Sequence, residues 1–283
     1  MNRANSLTGS RASFLPYLVL CIVFVVALYP ALKLMVISWA TNDESSHGFI
    51  IPLVSAYIIY TRRKDIGGRD AVGSWPGLAL SFFSLVLYLI SSKAEMVTVQ
   101  LTTIVFFLWG IFLYLFGYNG FRAVAFPLFY LLFMIPVPSQ IYSMATLPLQ
   151  LFVTRTSEIA GSLLQIPIYV EGNLIHLPGR TLKVVEACSG LRSMVSLLAL
   201  SAVFGYFSLR SNWKRAILFF TGIPIAIFIN VIRVLAIATF LHYFRVDITS
   251  GPLHTGAGIA VFGISVGFLI ITSHLLSRWI PRS

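Results

Sequence analysis

Apolar residues in this chain come in unbroken stretches long enough to cross a bilayer, and the basic residues gather mainly in the short gaps between them. That arrangement points to lipid as the solvent, because a half-buried soluble element would alternate its faces instead. Charged residues make up only 10% of the 283 and hydrophobic residues 58%, where soluble domains carry roughly a quarter charged residues. Mean hydropathy is +0.88. The expected fold class is an all-α membrane protein, organised as a single polytopic membrane domain over 1–283.

Eight transmembrane helices are expected, at about 14–36, 48–61, 75–91, 96–116, 122–136, 185–207, 214–243 and 254–276. The second and fifth are short for a crossing that takes about 20 residues. The first is too long for a signal-peptide core and lacks a small-x-small cleavage site, so it is expected to remain, behind a cytoplasmic tail at 1–13.

An even number of spans puts both termini on one side. With the termini inside, the cytoplasmic set is Arg3, Arg11, Arg62, Arg63, Lys64, Arg69, Arg122, Arg210, Lys214, Arg215, Arg278 and Arg282, the majority of the 20 basic residues. Tight clusters of this kind in short loops obey the positive-inside rule. The formal charge of +11 therefore reflects membrane topology. No basic face is long enough to track a duplex, which excludes nucleic acid as a partner.

The outer loop 137–184 is the one long connection. Ile141, Met144 and Leu151 recur at helical spacing among Arg155, Ser157 and Glu158, which suits an interfacial helix. Gly172-Asn173 and Pro178-Gly179 then mark turns between short β-prone runs, giving a small β-hairpin cap before the sixth helix.

Three residues stand out at the outer face. Cys188, in Glu186-Ala-Cys-Ser-Gly-Leu-Arg-Ser, falls in or near the first turn of the sixth helix, where free amides and the helix dipole favour a thiolate. Taken alone it reads as a small buried residue; the polar neighbours Glu186, Ser189 and Arg192 weaken that reading. Cys21 lies inside the first span and reads as a small hydrophobe. Two cysteines leave no disulfide framework.

Arg233, in Asn230-Val-Ile-Arg-Val, is a charge within a span, which is costly without a partner or water. It lies roughly 28 Å of helix beyond Lys214, in the outer leaflet. A structural ion pair, with Glu186 an available partner, is the plain alternative. His254 follows Gly251-Pro252-Leu253 and opens the eighth helix, where the dipole disfavours imidazolium and leaves the ring available as a base. His47, on the first outer loop, is a further candidate contact.

Topology joins these residues: three consecutive helices deliver a thiol, a guanidinium and an imidazole to one depth on one side. A thiol with a base makes an activated nucleophile, and a fixed cation can stabilise an oxyanion or bind a carboxylate. The set implies acyl transfer through a thioester. No two histidines share a helical face at ligand spacing, so neither metal nor cofactor is expected.

These residues resemble the exosortase/archaeosortase family of membrane cysteine transpeptidases. The resemblance rests on Ser46-His-Gly-Phe with Pro52, Phe126-Pro-Leu through Phe133-Met-Ile-Pro-Val-Pro, Glu186-Ala-Cys-Ser-Gly-Leu-Arg-Ser, Asn230-Val-Ile-Arg-Val, and His254 near Gly258. It implies an enzyme that cleaves C-terminal sorting signals of the PEP-CTERM type: Pro-Glu-Pro, then a transmembrane helix, then a basic tail. The severed protein would pass to an acceptor, a lipid or another amine. It implies Cys188, Arg233 and His254 as catalytic residues, in the inner membrane of bacteria that make exopolysaccharide, with the active site facing the periplasm. Glu186, Ser189, Arg192, Asn230, His47, Arg180 and Lys183 are the expected substrate-binding or supporting residues. The competing reading is a non-catalytic transporter or scaffold for polysaccharide export, since intramembrane charge also occurs in transporters. A serine protease using Ser189 or Ser193 is the third.

Overall fold

A computed structural model describes residues 15–42, 45–66, 74–177, 180–183, 191–245 and 251–279. The chain divides into two compact units, Met1–Pro136 and Val137–Ser283.

The first unit contains α1 (Leu15–Thr41), a 3-10 turn (Ser46–Phe49), α2 (Ile50–Thr61), α3 (Arg63–Ile66), α4 (Trp75–Lys93), α5 (Val97–Ala123), α6 (Ala125–Tyr130) and a second 3-10 turn (Leu131–Met134). Helices α4 and α5 pair closely through Gly77 and Gly110, where a Cβ on either would run into the other helix. Small residues at such contacts let membrane helices approach, since lipid tails give no hydrophobic drive for association. Gln100 fastens the α4–α5 connection by donating from Nε2 to the Ser91 carbonyl at 3.1 Å.

Helix α5 departs from the expected 96–116. At Gly117 the backbone turns to φ 65°, ψ −175°, a conformation open to glycine, and a second helical piece continues to Ala123. The expected fifth span, 122–136, is also different: it resolves into α6 and the 3-10 turn, only 6 and 4 residues long. Such a segment rises about 15–17 Å, roughly half of the ~30 Å hydrocarbon layer.

The second unit contains α7 (Ser139–Leu163), β1 (Tyr169–Glu171), β2 (Leu174–Leu177), β3 (Arg180–Lys183), α8 (Leu191–Ser208), α9 (Asn212–Tyr243) and α10 (Gly251–Arg278). The expected hairpin gains a third strand: the sheet is antiparallel in the order β1-β2-β3. Gly172 takes φ 61° in the two-residue loop between β1 and β2, as the primed hairpin turns require.

Helices α8, α9 and α10 form an antiparallel bundle whose core comprises Leu197, Leu209, Leu218, Ala226, Leu269 and Leu276. A second core joins α7, the sheet and the far half of α9 through Val153, Ile166, Ile175, Leu177, Val231, Val234 and Ala238. Strand alternation explains the sheet's share, because Ile175 and Leu177 point inward while His176 points out.

Among the described residues, four helices are long and apolar enough to cross a membrane: Trp75–Lys93, Val97–Ala123, Asn212–Tyr243 and Thr255–Arg278. Their surfaces expose large apolar side chains, among them Phe82, Phe83, Phe220, Phe228, Ile259 and Ile271. Water would penalise such a surface; lipid does not. The chain is an integral membrane protein.

Candidate active site

Arg233 lies in the C-terminal half of the second unit's longest helix. Its helix, α9, divides its surface between two partners. Val231, Val234 and Ala238 meet the sheet and α7, while Ala226 belongs to the bundle core. At 100° per residue, Arg233 falls well away from the sheet-facing stripe. Its guanidinium points to α10, with Nη2 3.9 Å from the position a Cβ would take on Gly258. Its Nε is buried. Asn230, one turn earlier on α9, is 3% exposed.

The α9–α10 register is held at three levels. Lys214 Nζ donates to the Trp279 carbonyl at 2.6 Å near one end. Phe228 and Phe268 meet edge to face at 6.3 Å between centroids. Arg233 meets Gly258 near the other end. His254 lies one turn before Gly258 on α10, so its backbone sits one turn beyond the Arg233 level.

Helix α8 runs antiparallel to α9 on its own contacts. A Cβ on Gly222 would lie 3.4 Å from Leu198 and 3.5 Å from Ser201 Oγ, and one on Gly205 would lie 3.6 Å from the Cα of Arg215. Continued along the helix, that register brings Leu191, the first residue of α8, about level with Ile229 and Asn230. The three helices thus bring the start of α8, Arg233 and the first turns of α10 to one end of the bundle.

The opposite end carries positive charge. Arg215 donates from Nε to the Leu209 carbonyl at 2.8 Å, from Nη2 to the Tyr206 carbonyl at 3.2 Å and from Nη1 to Asn212 Oδ1 at 3.2 Å. These bonds tie the last turn of α8 to the first of α9, with Arg210 and Lys214 nearby in the chain and Arg278 at the end of α10, next to the Trp279 whose carbonyl Lys214 holds.

Cys188, Glu186 and Ser189 lie outside the described residues, as do the side chains of Arg192, His254, Arg180 and Lys183. Arg192 is the second residue of α8. Arg180 pairs with Leu177 and Lys183 with Leu174 in the β2–β3 register, so β3 ends five residues before Cys188. Among the described residues, no group of three His, Cys, Asp or Glu side chains could hold a metal ion.

His47 is in the other unit, where it has a structural contact. Its Nε2 donates to the Phe133 carbonyl at 3.1 Å. Trp39 Nε1 donates to the next carbonyl, Met134, at 2.8 Å, and stacks edge-on against Phe49 at 5.2 Å. Gly48 lies under the Trp39 indole, where a Cβ would collide with the ring. The Ser46–Phe49 turn is thereby clasped to the segment before Pro136-Val-Pro. Two of the sequence segments that carried the resemblance are parts of one contact.

Sequence reasoning missed a polar face on α7. Gln150, Thr154 and Glu158 all bond to the sheet or its first turn. Their spacing of four residues was a legible sign of a shared face, but it did not say which partner the face meets.

Residues 39–271 match the protein family described as Transmembrane exosortase (Exosortase_EpsH). No curated protein and no solved structure matches the chain.

Proposed function

We propose that this chain, which belongs to the transmembrane exosortase family, is a cysteine transpeptidase that cleaves C-terminal sorting signals. The observation that carries the reading is the position of Arg233, turned toward α10 at Gly258, one turn from His254 and level with the start of α8. Leu191 is the third residue after Cys188, and a chain spans at most about 3.6 Å per residue. The thiol's backbone therefore lies within roughly 11 Å of the start of α8.

In this reading His254 takes the Cys188 proton and the thiolate attacks the scissile carbonyl. Arg233 stabilises the resulting oxyanion. The tetrahedral intermediate collapses, the C–N bond breaks, and the departing amine takes the proton from imidazolium. The acyl group remains on Cys188 as a thioester. An acceptor amine, or water, attacks that carbonyl and loses a proton as the thiol is restored. A preorganised cation acts most strongly in a site shielded from water, and burial of the Arg233 Nε supports that role.

The substrates are membrane-anchored proteins ending in Pro-Glu-Pro, a transmembrane helix and a basic tail. Arg180, Lys183 or Arg192 pairs with the motif glutamate, and Glu186, Ser189 and Asn230 support the site. The enzyme sits in the inner membrane with both termini cytoplasmic and Cys188 at the periplasmic face. The concentration of Arg210, Lys214, Arg215 and Arg278 at the end of the bundle away from Arg233 supports this orientation.

The test is co-expression of wild type or Cys188→Ala with a reporter bearing a Pro-Glu-Pro-type tail, followed by mass spectrometry. Tail loss with wild type alone supports the enzyme, and the mass of the new C-terminus separates transfer from hydrolysis. Equal processing by both removes Cys188 as nucleophile. Processing by neither, with both proteins folded and several tails tried, favours a transporter or scaffold.

A further inference from the structure

The sheet that precedes Cys188 in the chain is small: its strands have 3, 4 and 4 residues. Strands so short do not hold an orientation by themselves. Its inward face joins an apolar cluster with Val153, Val231, Val234 and Ala238, but apolar burial is non-directional and tolerates sliding. Direction comes from α7. Glu158 Oε1 accepts the Val170 amide at 3.1 Å. Thr154 Oγ1 donates to the Gly172 carbonyl at 3.1 Å. Asn173 Nδ2 donates to Gln150 Oε1 at 3.0 Å.

These three side chains follow one line along α7, one turn apart, and together they grip strand β1 and its turn. Gln150 is 5% exposed and Thr154 fully buried, so each bond replaces water that cannot reach the group. Val170 lies on an edge strand, whose outward amides need a partner; Glu158 supplies one. From Val170 the register runs to Ile175 and on to Leu182, six residues before Cys188. A continuous path of hydrogen-bonded strands links Glu158 to β3, which ends five residues before Cys188 in the chain.

We propose that Glu158 is a positioning residue for Cys188, aided by Thr154 and Gln150. By fixing β1 to α7 it sets where β3 delivers the chain that leads to the thiol, relative to Arg233 on α9. The proposal rests on Cys188 being the nucleophile. Its required chemistry at position 158 is an acceptor for the Val170 amide, and glutamine meets that need as well as glutamate.

The test uses the full chain in membranes with Cys21→Ser, which leaves Cys188 as the sole thiol. Two quantities are read: reporter processing per folded enzyme at saturating reporter, and the rate of Cys188 alkylation by N-ethylmaleimide. Misplacement of a reacting group by about 1 Å can cost 10²-fold, so Glu158→Ala should slow processing by about tenfold or more. It should also change the alkylation rate by a few-fold, and Glu158→Gln should restore both.

Wild-type values of both quantities in Glu158→Ala overturn the proposal, as does failure of Glu158→Gln to recover either. Alkylation needs no turnover, so that arm still judges the proposal if wild type processes no reporter. If Glu158→Ala does not fold, Thr154→Val replaces it. That variant removes the bond to the Gly172 carbonyl and must move both readouts the same way; unchanged values overturn the proposal.

Discussion

The guanidinium of Arg233 and the bare backbone of Gly258 face each other across α9 and α10, with Nη2 3.9 Å from where a Cβ would stand. A methyl group at that distance makes ordinary contact, while a longer side chain would occupy the space the guanidinium holds. Gly258→Ala should therefore process a reporter within about threefold of wild type. Gly258→Leu should lose about 10²-fold, the scale on which a displaced catalytic group is felt, with the folded fraction retained in detergent. Similar rates in the two variants would remove Arg233 from this place in the mechanism.

Arg233→Lys asks whether charge alone suffices. Lysine keeps the charge and loses the planar fork. Loss of one oxyanion donor commonly costs 10²–10³-fold in turnover, and Arg233→Lys should lose at least about tenfold on that scale. The measurement is turnover at saturating reporter. Near-normal turnover would show that a point charge is enough and that the guanidinium geometry plays no part.

The clasp between Ser46–Phe49 and Phe133–Met134 should act on stability. His47→Ala removes the donor to the Phe133 carbonyl, at a cost of about 1–3 kcal/mol for the unsatisfied acceptor. Gly48→Ala forces a Cβ into the Trp39 indole, and overpacking of this kind costs typically 1–3 kcal/mol. Both variants should melt at lower temperature in detergent, while turnover per folded enzyme stays within about twofold of wild type, a barrier change well below the ~1.4 kcal/mol that tenfold represents. A turnover loss in His47→Ala without a melting shift would return His47 to the substrate.

Orientation is testable with single cysteines. With Cys21 and Cys188 both replaced by serine, Tyr169→Cys on β1 should react with a membrane-impermeant maleimide in intact spheroplasts. Arg210→Cys should react only after permeabilisation. Both positions are exposed, so accessibility is decided by the membrane. The reverse pattern would invert the proposed topology.

Much of the helical framework was legible because lipid demands long apolar segments, and length can be counted along the chain. The expected 214–243 and 254–276 correspond to α9 (Asn212–Tyr243) and α10 (Gly251–Arg278). The segment 122–136 misled because an apolar run has no period that tells a crossing from two short turns. Its form depends on Trp109 donating to the Leu128 carbonyl at 2.9 Å and Trp39 donating to Met134. Likewise Glu158 read as part of an interfacial face, although its partner is a strand amide 12 residues on.

By itself, the sequence determined the solvent, the helical class, the grouping of basic residues and the family, because each is written in residue types and local spacing. Tertiary structure decided what those residues face: that Arg233 turns to Gly258, that His47 holds a carbonyl 86 positions away, and that α7 grips the sheet. Such pairings join positions far apart in the chain, and only the folded backbone brings a donor to within about 3 Å of its acceptor.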